Sequence, residues 1–265
     1  LVGNFGVGNR ECNLIRPSLT KLLQDSVNNE FFACDVSPPR AGRDHSFQDL
    51  LDLKPDIFSV SYNPGRAVRV NSVIAADWIQ SQTGIDVMFT LGTRDMNKLA
   101  LQSLMLGAQL NSLKNVLVVA GDEFTLDERR IVQEVNDYTP TQMIKATGEM
   151  NSRRDFKSQN IQEPTNFCIG GVFDLNKRWD KEVHLIDRKI RAGVDFFIAQ
   201  PFFEIGIAQK FMDYYSKIHT HGLEVPILWG IQMLGKGSGS FSKVPGEILA
   251  SIEKGNVISL AYLIT

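Results

Sequence analysis

Apolar residues in this chain follow two alternating patterns: short unbroken blocks, and longer stretches where they recur every three or four positions. The clearest block is Asn115-Val116-Leu117-Val118-Val119-Ala120-Gly121-Asp122, a branched apolar run that stops at a glycine and a carboxylate. Such a run suits a strand buried on both faces, as in a parallel sheet. The same pattern predicts strands over Phe31–Val36, Ile57–Ser61, Ile85–Leu91, Asn166–Val172, Val194–Ala199 and Val225–Ile231, and an eighth over Asn256–Leu263. Helical spacing predicts helices over Pro17–Leu23, Ser46–Leu53, Val68–Gln82, Lys98–Leu110, Lys181–Arg191, Glu204–His219 and Val244–Glu253. A further helix starts at Thr139-Pro140, with Thr139 as cap and Pro140 in the first turn.

Strand and helix alternate without a repeat or a linker-like shift in composition, which predicts parallel strands joined by right-handed crossovers. In a chain of 265 residues this points to a (β/α)8 TIM-type barrel, read as one domain over 1–265 with a loose tail at 1–16. The alternative is a doubly wound sheet. That fold usually carries a glycine fingerprint after its first strand, and Gly3, Gly6 and Gly8 have neither the spacing nor a preceding strand.

Composition narrows the function classes. Hydrophobic residues make up 43% and charged residues 22%, enough for a packed core. The formal net charge is -2 with no basic block, which argues against a nucleic-acid partner. No apolar stretch is long enough to span a membrane. Cys12, Cys34 and Cys168 are far apart and lack metal-type spacing, so a reducing, cytoplasmic setting is expected, and no metal site.

In a barrel the carboxyl ends of all strands open on one mouth. The polar residues at those ends include Asp35, Ser61, Tyr62, Thr90, Arg94, Asp95, Asp122, Asp174, Gln200 and Gln232. The set has no Cys/His pair, and His45, His184, His219 and His221 fall elsewhere, which leaves acid/base work and hydrogen bonding to a polar heterocycle. Each residue also has a plainer reading. Asp35 could pair with Arg40 or Arg43, Asp122 could cap a turn, and Gln200 could satisfy backbone groups. Thr93–Asn97 could be only a helix start, and the loop with Gly235, Gly237 and Gly239 only a mobile turn. Arg188 and Lys189 near a helix C-terminus are favourable there in any case. In its functional reading Asp35, inside an apolar strand, has a raised pKa and donates a proton.

Together these pieces resemble the methylenetetrahydrofolate reductase family. The resemblance runs from about Ser18 to Ile252. It rests on Asp35-Val36-Ser37-Pro38-Pro39-Arg40, Lys54-Pro55-Asp56, Ser61-Tyr62, Thr93-Arg94-Asp95-Met96-Asn97, Val119-Ala120-Gly121-Asp122, Arg188-Lys189, Ala199-Gln200-Pro201 and Val244-Pro245-Gly246. The order and spacing carry it, and it looks most like the branch often fused to a homocysteine methyltransferase.

The resemblance implies a barrel with FAD at its mouth. NADH or NADPH reduces the flavin, and hydride then passes to 5,10-methylenetetrahydrofolate to give 5-methyltetrahydrofolate. It implies Asp35 as general acid, where the family has glutamate, Asp122 as pterin anchor beside the flavin, and Gln200 as the contact for folate and nicotinamide. It assigns FAD contacts to Ser61, Tyr62, Thr90, Ala120, Gly121, Asp122, Asp137, Arg188 and Lys189. Thr90 stands where many members have histidine, Ala120 where some have arginine and Val172 where some have tyrosine. Asn256–Thr265 looks short of the family's last strand and helix. The alternatives are a flavin-free pterin-binding barrel that moves a methyl or other one-carbon unit, and a degenerate barrel without catalysis. The expected partners are folate and nicotinamide, with a homo-oligomer left open.

Overall fold

The computed structural model describes residues 19, 22–23, 31–42, 47, 50, 52–204, 206–236, 244–254 and 258–259. Seven parallel strands pair strictly in chain order: β1 (Ala33–Val36), β2 (Ile57–Val60), β3 (Val87–Gly92), β4 (Asn115–Val119), β5 (Cys168–Phe173), β6 (Phe196–Ala199) and β7 (Ile227–Trp229). Between them run α1 (Ser72–Thr83), α2 (Lys98–Leu110), α3 (Pro140–Asn151), α4 (Trp179–Arg191) and α5 (Ile207–His219), with α6 (Gly246–Glu253) beyond. This is a nearly closed TIM-type barrel. No described helix is long and apolar enough to cross a membrane.

The predicted eighth strand departs from expectation. Within Asn256–Leu263 the described strand is β9 (Ile258–Ser259) alone, which pairs antiparallel with β8 (Met233–Leu234) and not with the seven-stranded sheet. The predicted tail at 1–16 lies outside the described residues, as does half of Ser46–Leu53. Helix starts also move. The Asn71 side chain accepts the Val73 amide at 2.9 Å, so α1 begins at Ser72 and not at Val68. Thr139 and Gln142 form a reciprocal capping box at the start of α3.

Strand alternation sorts the apolar residues into two cores. Phe58, Val60, Phe89, Leu91, Val116, Val118, Phe173 and Phe197 pack outward under the helices. Leu19, Ile57, Met88, Leu117, Cys168 and Phe196 fill the barrel axis. Gly170 makes this filling possible, since a Cβ there would lie 2.4 Å from the Phe196 ring. Above this layer Val119, Val172, Ile198 and Leu228 are only half-buried, and they form an apolar floor to the open mouth.

Candidate functional site

Asp35 belongs to β1 and faces the axis, in register with Ser59 of β2. The Ser59 hydroxyl donates to Asp35 Oδ1 at 2.9 Å. The carboxyl is accessible from the mouth yet closely surrounded by its walls. Burial raises its pKa above the ordinary carboxylate value, and the Ser59 bond offsets only part of that rise. The alternative pairing with Arg40 does not form, and Arg43 lies outside the described residues.

Asp122 lies just past β4, on the same carboxyl rim. Its Oδ2 accepts the Gly65 amide at 2.8 Å, which ties the loop after β2 to the loop after β4. Arg66 and Glu128 join the same two loops at 2.8 Å. The side chain therefore bridges loops and does not cap its own turn. Gly121 beside it has φ +98 and rests on the Arg94 side chain.

Arg94 organises this side of the mouth. Its guanidinium forks onto Asp95 at 2.5 and 2.7 Å, donates to the Asp122 carbonyl, and lies 3.8 Å over the Phe124 ring. Its own amide donates to the Ala120 carbonyl at 3.0 Å, while its carbonyl accepts Val135 and Asn136 at 2.7 and 3.2 Å. Burial pushes the Asp95 carboxyl up, but hydrogen bonds from Arg94 and Tyr62 and the Arg94 charge together hold it below the ordinary value. The Tyr62 hydroxyl donates to Asp95 Oδ2 at 2.8 Å, and burial and that acidic partner raise the Tyr62 pKa. Its ring lies against Gly92, where a Cβ would come within 2.4 Å.

The remaining expected residues divide. The Ser61 hydroxyl donates to the Val36 carbonyl at 3.1 Å, and Thr90 is buried in β3. Ala120 is exposed at the rim. Gln200 follows β6 directly, and its backbone N–H donates to the Phe173 carbonyl at 2.8 Å. Asp137 Oδ2 accepts the Lys98 amide at the start of α2. Arg188 and Lys189 are not gathered with these. Arg188 is exposed on α4, whereas Lys189 is buried in the barrel wall with Nζ 2.5 Å from the Val172 carbonyl. Desolvation lowers the Lys189 pKa to about 8.

A cleft of about 440 Å³ opens beside Asp122, lined among others by Arg66, Val68, Arg94, Phe124 and Ile131. A flat apolar floor with hydroxyl and backbone groups at its edge suits a planar heterocycle, while in the neighbouring cleft the Arg66 and Arg94 guanidinium groups are paired with Glu128 and Asp95. Of the residues expected to hold FAD, Ser61, Tyr62, Gly121 and Asp122 lie on this rim, whereas Arg188 and Lys189 do not join them. Among the described residues no group of three or more His, Cys, Asp or Glu side chains could hold a metal ion. Sequence reading passed over Ser59, Gly65 and Phe124. The one available signal was Ser59, a polar residue in the same inward phase as Asp35.

Two solved structures share the architecture. One is an uncharacterized protein from Clostridium thermocellum described as binding two copies of 5-methyl-5,6,7,8-tetrahydrofolic acid. It has a TM-score of 0.57 and 14% identity, over 89% of this chain and 80% of that one. The other is 2,3-dimethylmalate lyase, of the PEP mutase/isocitrate lyase superfamily, with a TM-score of 0.52 and 12% identity, over 88% of this chain and 74% of that one. At such identities the likeness speaks for the fold. No curated protein sequence matches the chain. The family pattern described as Methylenetetrahydrofolate reductase matches residues 21–246, and the chain therefore belongs to that family.

Proposed function

We propose that this chain reduces 5,10-methylenetetrahydrofolate to 5-methyltetrahydrofolate in the cytoplasm, with FAD as hydride carrier and NADH or NADPH as hydride source. The observation that carries the reading is Asp35. It is the carboxyl beside an apolar floor, desolvation by its surroundings raises its pKa above the ordinary carboxylate value, and it shares a rim with Asp122 and Gln200. A folate-binding barrel of similar shape in Clostridium thermocellum supports a pterin in this mouth.

Opening the bridging methylene of the substrate requires a proton on the nitrogen that leaves. A neutral Asp35 is suited to give it, and the Ser59 bond to Oδ1 leaves the other oxygen for that task. The resulting iminium carbon takes the hydride and becomes the methyl group. Asp122 commits one oxygen to Gly65 and keeps acceptor capacity for a pterin ring N–H and amino group. Gln200 offers both a donor and an acceptor to the same heterocycle. Ser61, Tyr62, Thr90, Ala120, Gly121 and Asp122 would hold FAD, which would supply two-electron hydride chemistry.

A second reading, a flavin-free pterin-binding barrel, is favoured by the commitment of Lys189 to the Val172 carbonyl and the exposure of Arg188. The absorbance spectrum of the purified protein separates the two. A flavin spectrum with NAD(P)H-dependent bleaching supports the first. A colourless protein that still binds 5-methyltetrahydrofolate by calorimetry transfers the assignment to the second. Asp35→Ala should abolish folate reduction and spare nicotinamide oxidation by an artificial acceptor. Equal loss of both would remove Asp35 from its role.

A further inference from the structure

A reduced folate is a long molecule with two distinct ends. The pterin ring N–H and amino group lie on one edge. The p-aminobenzoyl-glutamate tail leaves from the opposite edge, through the nitrogen that is freed when the bridging methylene opens. With Asp122 on the first edge, the direction of the tail is set. Asp122 follows β4, the central strand of the seven, so the far side of the mouth is the side where β1 and β7 end the sheet. No described strand pairs between those two. Asp35 on β1 borders that opening, so a proton donor stands where the freed nitrogen passes.

The chain itself leads from this side of the rim to a cavity. After β7 the Gly230 N–H donates to the Ala199 carbonyl at 3.0 Å, and a Cβ at Gly230 would lie 2.4 Å from that oxygen. The segment leaving β7 is thereby held flat against the end of β6. It runs on into β8, and between β8 and α6 lies a cavity of about 230 Å³. Leu234, Val244, Leu249 and Ile252 line it, with Lys236 and Glu253 as its ionisable groups. Leu234 and Ile252 are buried, whereas Leu249 and Lys236 are exposed, so one wall is dry and the other opens to solvent. Among the described residues Lys236 forms no ion pair. Arg66 and Arg94 in the larger cleft differ in this respect, since Glu128 and Asp95 already neutralise them.

We propose, resting on the pterin reading of the mouth, that this cavity takes the p-aminobenzoyl ring of the folate tail and that Lys236 binds the carboxylate of its glutamate. The volume is below the roughly 300 Å³ of a complete ligand pocket, so it suits one part of a ligand. A flat uncharged ring matches the apolar wall of Leu234, Val244 and Ile252. Glu253 offers an acceptor to the amide N–H of the tail. Lys236 supplies a charge-assisted hydrogen bond to the carboxylate. The larger cleft beside Asp122 does not compete, because it adjoins the amino edge of the pterin and its cations are already paired.

Anaerobic calorimetric titration of the full chain tests the proposal with two probes, 5-methyltetrahydrofolate and the tail-less 5,6-dimethyltetrahydropterin. The wild type is expected to bind the folate tighter by about tenfold or more, the order expected of a hydrogen bond to a charged group. Lys236→Glu, and Leu249→Trp, which fills the cavity, should each reduce that preference and leave the affinity for the tail-less pterin unchanged. The unchanged pterin affinity also reports that each variant is folded. Asp122→Asn should weaken both probes. Equal affinity of the wild type for the two probes overturns the tail site and leaves the mouth reading in place. A folate preference that survives Leu249→Trp overturns the placement of the ring, and one that survives Lys236→Glu overturns the carboxylate contact. A wild type that binds neither probe overturns the pterin reading and the tail site with it.

Discussion

Asp122 accepts the Gly65 backbone amide at 2.8 Å, so one carboxylate both joins two rim loops and faces the proposed pterin. The two duties can be separated. Asparagine keeps an acceptor for Gly65 but presents an amino group where the pterin needs the second oxygen. Asp122→Asn should therefore weaken 5-methyltetrahydrofolate binding by about tenfold or more, from roughly 1–3 kcal/mol for an unmatched polar group, with little change in melting temperature. Asp122→Ala should lower both. Calorimetric titration and thermal melts of the two variants check this.

Asp35 gives a pH signature independent of any reaction. Its native pKa is raised by burial, so the folded chain holds that proton more tightly than the unfolded chain does. Its contribution to stability is then most favourable in acid and declines as pH rises from the ordinary carboxylate value to the raised one. Asp35→Asn removes the ionisation. It should melt above the wild type at neutral pH, and the gap should narrow on acidification. A gap that widens in acid would contradict this.

Lys189 behaves in the opposite sense. Its pKa is lowered to about 8, so between there and the ordinary lysine value the unfolded chain binds more protons. This residue's contribution should improve as pH rises through that window. Urea midpoints across that range should show the trend in the wild type and lose it in Lys189→Met.

Arg94→Ala should destabilise the chain by about 3–5 kcal/mol, the usual cost of stranding one partner of a buried ion pair. Arg94→Lys should fall between, because it keeps the charge and loses the fork. Urea unfolding measures both.

Gly170→Ala places a methyl group where the Phe196 ring already lies 2.4 Å away. A loss of about 1–3 kcal/mol is expected from overpacking. Phe196→Leu should recover part of it, and a double-mutant cycle reads the coupling.

Much of the barrel could be read from the chain because buried parallel strands carry continuous apolar runs. Asn115–Val119 needed nothing beyond that rule. Of the expected eighth strand only Ile258–Ser259 is described, and it pairs antiparallel with Met233–Leu234, because partner choice depends on a register that one sequence does not display. At the site, strand ends located Asp35, Asp122 and Gln200 on one rim. Their bonds were less legible. The Gly65 amide and Asp122 are 57 residues apart, and a backbone group leaves no mark in composition. Lys189 misled for a related reason: a helix-end lysine usually reaches solvent, but here the chain lies against Gly171 and the amine finds a carbonyl.

One consequence follows from how Arg94 holds the stretch after β4. Its amide takes Ala120 at the start, and its carbonyl takes Val135 and Asn136 at the end. A single residue thus clamps both feet of an Ω-like loop. The stretch between the feet behaves as a cassette. Outside Gly121, Asp122, Phe124 and Glu128, which hold Gly65, Arg94 and Arg66, it can lengthen, shorten or change sequence at small entropic cost, because loop closure depends only weakly on length. New specificity at the mouth can therefore be introduced there while every barrel strand stays as it is.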